Sequence, residues 1–69
     1  MREIEILDML KSNPGSYIER NDRIYRIMQA SGECLADQEL WYEHVDDLVD
    51  TGQIVHLGRS RYVLARQNP

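Results

Sequence analysis

The stretch Asp37 to Arg66, DQELWYEHVDDLVDTGQIVHLGRSRYVLAR, reads as one unit: an amphipathic helix, a Thr51-Gly52 stop and a tight β-hairpin. At about 100° per residue, Leu40, Trp41, His44, Val45, Leu48 and Val49 fall on one half of the helical wheel. Glu39, Tyr42, Glu43, Asp46, Asp47 and Asp50 fall on the other half, and Gly52 suits the position just past the helix end. Residues 53–57 and 61–65 alternate well enough for two strands, joined by a Gly58-Arg59-Ser60 turn. Charge divides sharply along this unit. Residues 37–51 hold six acids and no Lys or Arg, whereas Arg59, Arg61 and Arg66 follow with no acid after Asp50.

At 69 residues the chain has room for one small domain. A domain of this size buries only about 60% of its unfolded surface, so its core is marginal and a homodimer would help it. The content of 42% hydrophobic and 29% charged residues is ordinary for a soluble globular protein. No apolar run approaches the ~20 residues of a membrane span, and Met1-Arg2-Glu3-Ile4 opens no signal-peptide apolar core. A single cysteine, Cys34, cannot form an internal disulfide and fits the reducing cytoplasm. The net charge of −4 speaks against nucleic-acid binding driven by overall charge, and leaves room for a local basic patch.

Upstream, Ile4, Leu7 and Leu10 stand at helical spacing, widened by Ile6 and Met9, and Asn13-Pro14-Gly15 ends that helix. Residues 16–19 are β-prone and suit a short first strand. Asn21 can cap a second helix over residues 22–31, with Ile24, Ile27 and Met28 inward at i, i+3 and i+4 and Gly32 as its stop. A rival reading of residues 17–27 is a hairpin turning at Asn21-Asp22. The i, i+3, i+4 spacing favours the helix. Residues 33–36 form a linker, and Asp37 caps the third helix. The expected fold is thus α+β and mainly α: one domain over residues 1–67, with helices near 3–12, 22–31 and 37–51, a C-terminal hairpin, and residues 68–69 as a frayed end.

The run Val45-Asp46-Asp47-Leu48-Val49-Asp50-Thr51-Gly52-Gln53-Ile54-Val55, followed by Gly58-Arg59-Ser60-Arg61-Tyr62-Val63-Leu64-Ala65, resembles the winged helix-turn-helix superfamily. In that superfamily a third helix ends in a leucine, polar residues and glycine, then passes into an aliphatic strand and a wing tipped by glycine and basic residues. With Ile4 to Leu10 as the first helix, the resemblance covers nearly the whole chain. It implies double-stranded DNA as partner, the third helix in the major groove and the wing arginines near the backbone or minor groove. A small transcriptional regulator is the function that follows.

By position, the resemblance assigns groove contact to Gln38, Glu39, Tyr42, Glu43 and Asp46. Carboxylates beside a polyanion are repelled, so DNA contact is expected mainly from Arg59, Ser60 and Arg61 in the wing and from Arg20, Arg23 and Arg26 around the second helix, with Gln38 and Tyr42 assisting. The alternative is a protein-interaction module. Glu39, Tyr42, Glu43, Asp46, Asp47 and Asp50 would meet a basic partner or imitate the charge of DNA. Asp46, Asp47 and Asp50 stand near a helix C-terminus, where the dipole disfavours them, which motivates that reading. Cys34, His44 and His56 match no metal-ligand spacing. No nucleophile–base motif or glycine-rich phosphate loop is present, so neither an enzyme, a cofactor nor a small-molecule substrate is expected.

Overall fold

The computed structural model describes residues 2–22, 24–35, 42–58 and 60–65, and for Tyr42 the backbone alone. Helix α1 (Glu3–Ser12) is followed by strands β1 (Tyr17–Asn21) and β2 (Ile24–Met28), helix α2 (Tyr42–Asp50), and strands β3 (Ile54–Leu57) and β4 (Arg61–Leu64). The strands form one antiparallel sheet in the order β2-β1-β4-β3.

The expected second helix is therefore a strand, and the three-helix winged helix-turn-helix architecture is overturned. Residues 17–28 form the rival hairpin, with Asn21 paired to Ile24 and a two-residue loop between them. Asp22 stands at φ 60°, the left-handed conformation that Asp tolerates better than most residues and that primed hairpin turns require. The decisive pattern is period two. Tyr25 and Ile27 are buried on one face, and Ile24 and Met28 are half-buried on the other. The helical spacing of Ile24, Ile27 and Met28 was a coincidence of short apolar runs, in which both periods can be found. What favours the strand is a partner: β1 offers a ladder to β2 on one side and to β4 on the other. Gly32 does not stop a helix. It lies in a turn after β2 that returns Cys34 to a β-bridge with Met28.

The other elements form where the periodicity places them. In α1 the N–H of Arg2 donates to the Glu5 carboxylate at 3.2 Å, which satisfies one of the donors a helix start leaves open. The Asn13 side chain donates to the Met9 carbonyl at 2.8 Å at the other end. Ile6, Leu7 and Leu10 are buried, and Ile4 is 64% exposed, so the apolar face centres on Ile6 rather than on Ile4. At Gly15, φ is 83° and a Cβ would meet Ala30 at 3.2 Å, so this turn needs glycine on both counts. Helix α2 ends as expected: Gly52 and Gln53 donate to the carbonyls of Val49 and Leu48 at 3.0 and 2.9 Å, and Gly52 takes φ 76°. The expected start of this helix, residues 37–41, lies outside the described residues.

Both helices cover one face of the sheet. Ile6, Leu7 and Leu10 of α1 and Val45 and Leu48 of α2 pack with Ile18, Tyr25, Ile27, Ile54 and Tyr62, and Met9, Leu35, Val49 and Leu64 seal the margin. The result is two layers, helices on sheet. Glu3 of α1 and His44 of α2 meet at 3.2 Å across the helix pair. Among the described residues no helix is long and apolar enough to cross a membrane.

Candidate nucleic-acid interface

Side chains alternate across a sheet, so the residues that do not face the helices share the opposite face. The pairing register aligns them in rows running across all four strands. One row is Arg26 on β2, Glu19 on β1, Arg61 on β4 and Leu57 on β3. The next, one pleat further from the hairpin turns, is Met28, Tyr17, Val63 and Val55. Ile24 stands beyond the first row. Among the described residues no helix lies across this face. Val55 and Leu57 are 41% and 51% exposed, and Tyr17, Ile24, Met28 and Val63 are half-buried among their neighbours.

Two of the arginines expected to bind phosphate are thus brought together by an element the sequence reading did not favour. Arg26 and Arg61 both sit beside Glu19, two strand spacings apart, which is about 10 Å between their backbones. Both are exposed. The Arg61 guanidinium lies over the Tyr17 ring, 4.4 Å from its centroid, a cation–π contact that holds a positive charge beside an aromatic ring on this face.

Arg20 is not part of this group. It stands opposite Tyr25 in the β1–β2 ladder and so shares the helix-side face, and its Nε donates to the Asp22 carbonyl at 3.0 Å. The Tyr25 hydroxyl is held above its ordinary pKa of 10.0, first by burial, then by its hydrogen bond with Tyr62 and by the negative charges around it, including Asp46. The Arg20 charge acts in the opposite direction. Ser60 is used by the sheet, its carbonyl accepting the Arg20 N–H at 2.7 Å. The expected contacts at Arg23, Arg59, Gln38 and Glu39 fall outside the described residues, and the Tyr42 side chain does as well.

The acids of α2 lie on the other side of the molecule. Glu43, Asp46, Asp47 and Asp50 are exposed on the helix above the buried Val45 and Leu48, and no basic residue occupies its last turn. The sheet therefore separates a cationic, partly apolar face from an anionic helical layer. His44 pairs with Glu3, and His56 stacks on Tyr62 at 4.5 Å with 13° between the rings. No group of three or more potential metal ligands occurs among the described residues. A cleft of about 410 Å³ beside the end of α1, walled by Leu10, Pro14 and Leu64, holds Lys11 and Ser16. The Ser16 hydroxyl there donates to the Leu10 carbonyl at 3.3 Å.

The chain matches no protein-family model, no curated protein and no solved structure.

Proposed function

We propose that this protein is a small nucleic-acid-binding module that serves regulation, including regulation of transcription, in the cytoplasm. Its phosphate contacts come from Arg26 and Arg61 on the open face of the sheet. One observation carries this reading: the β2-β1-β4-β3 order gathers two exposed arginines onto one face that no described helix covers, with the α2 acids on the opposite side. A chain of net charge −4 gains little from phosphate through its overall field, but a face of locally opposite sign both attracts and orients a polyanion. This replaces the major-groove helix with a β surface, which nucleic-acid binders also use.

Salt-titrated fluorescence anisotropy tests the reading, with a labelled mixed-sequence duplex and its separated strands. Arg26→Ala with Arg61→Ala lowers the slope of log K against log salt by roughly 1.4–1.8, the loss of two phosphate contacts on single or double strands. It also weakens binding more than tenfold at low salt. An unchanged slope refutes the proposal.

A second reading is favoured by the exposed acids of α2, namely a protein module that binds a basic partner through Glu43, Asp46, Asp47 and Asp50. One double variant separates the two. Asp46→Lys with Asp50→Lys leaves nucleic-acid affinity equal or higher under the first reading. It abolishes partner capture under the second.

A further inference from the structure

The open face carries more than phosphate ligands. Around Arg26, Glu19 and Arg61 stand Tyr17, Ile24, Met28, Val55, Leu57 and Val63, so most of its side chains are apolar or aromatic. A duplex offers such a surface only the base edges in its grooves, because the base faces are stacked inside. An unpaired strand can turn its bases outward onto it. The face is four strands wide, room for two or three bases by analogy with other four-stranded binding sheets. The Arg61 guanidinium already lies over the Tyr17 ring, so a cation–aromatic pair stands on the face before any ligand arrives. Glu19, between the two arginines, adds a carboxylate that can accept from a base amino group. Charge complementarity selects this occupant over a second copy packed face to face, which would set Arg26 and Arg61 against their own equivalents, whereas a strand brings phosphates.

We infer that the outer sheet face binds single-stranded nucleic acid, with phosphates at Arg26 and Arg61 and bases against Tyr17, Leu57 and the Met28–Val63–Val55 row. The inference rests on the nucleic-acid reading above and adds the strand class and the base-contacting surface. DNA and RNA strands share the chemistry it requires.

The test compares oligo-dT, oligo-U and a duplex of matched length, about 12 nucleotides, at about 50 mM salt. Both single strands bind at least tenfold more tightly than the duplex, and the tighter of oligo-dT and oligo-U identifies the natural strand as DNA or RNA. Tyr17→Leu and Leu57→Ser each weaken single-strand binding by about five- to twentyfold with the salt slope unchanged, because they remove aromatic or apolar contact with the bases and not charge. Methyl spectra of the unmutated protein supply a measurement that no folding defect can imitate. Oligo-dT shifts the Val55, Leu57 and Val63 methyls and leaves those of Val45 and Leu48 in place. Duplex binding as tight as single-strand binding, with the Arg26 and Arg61 dependence intact, overturns this inference and leaves the proposed function standing. So does an oligonucleotide-free, concentration-dependent shift of the same methyls, which would make the face a contact between copies. Absence of binding to all three ligands overturns both.

Discussion

Replacing Ile18 by alanine measures how much of this fold rests on the central strand. Ile18 is fully buried and sits between Ile27 of β2 and Tyr62 of β4, in one buried cluster with residues of both helices. The change removes three carbons, or roughly 2.4 kcal/mol of transfer free energy at about 0.8 kcal/mol per methylene. Neighbours held on both sides by strand pairing cannot close the void fully, which raises the loss to about 3–4 kcal/mol. A chain of 69 residues has a total stability of roughly 3.5–10 kcal/mol at the usual 0.05–0.15 kcal/mol per residue. Ile18→Ala therefore removes between a third and all of it. Urea unfolding followed by far-ultraviolet circular dichroism gives the loss directly. The matched control is Ile4→Ala on α1, where the side chain is 64% exposed and the change stays within about 0.5 kcal/mol. A loss under about 1 kcal/mol at Ile18, or equal losses at the two sites, would refute the placement of Ile18 at the centre of the core.

Asp22→Val destabilises by about 1–2 kcal/mol, because a β-branched residue resists the left-handed conformation at φ 60°. Asp22→Gly stays within about 0.5 kcal/mol. Equal tolerance of valine and glycine in thermal melts would argue against the hairpin turn. Tyr25 ionises above its ordinary 10.0, so the folded state keeps a proton that the unfolded chain has already lost. Its stabilising contribution is complete below pH 10 and disappears as pH rises through the folded value. Alkaline unfolding curves show this fall, and Tyr25→Phe flattens it. A wild-type curve with no dependence beyond that of the variant contradicts the assignment. Glu3→Gln removes the pair with His44, whose partners are 36% and 32% exposed, and costs under about 1 kcal/mol. A larger loss in the same melts would mean that this contact does more than tie two helices at the surface.

Segments whose apolar period matched their local stop signals could be read directly from sequence. The first helix, the end of α2 at Gly52 and the C-terminal hairpin are of this kind, since each pairs a repeat with a glycine or proline boundary close in the chain. The charge division between residues 37–51 and the following arginines was equally plain in the sequence. Residues 22–31 could not be decided that way. Ile24, Tyr25, Ile27 and Met28 satisfy a helical and a strand period together, and the choice belongs to Tyr17–Asn21 and, through it, to Tyr62 and Arg61 more than thirty residues away. The candidate site inherits this dependence. Arg26 and Arg61 share a face because β1 pairs with both of their strands, while Arg20, also near Arg26 in the chain, is turned to the helix side by the alternation of the same strand. Helical and turn preferences act over a few residues and are visible locally. A sheet face is assembled from separate strands, so only the tertiary pairing decides which side chains meet on it.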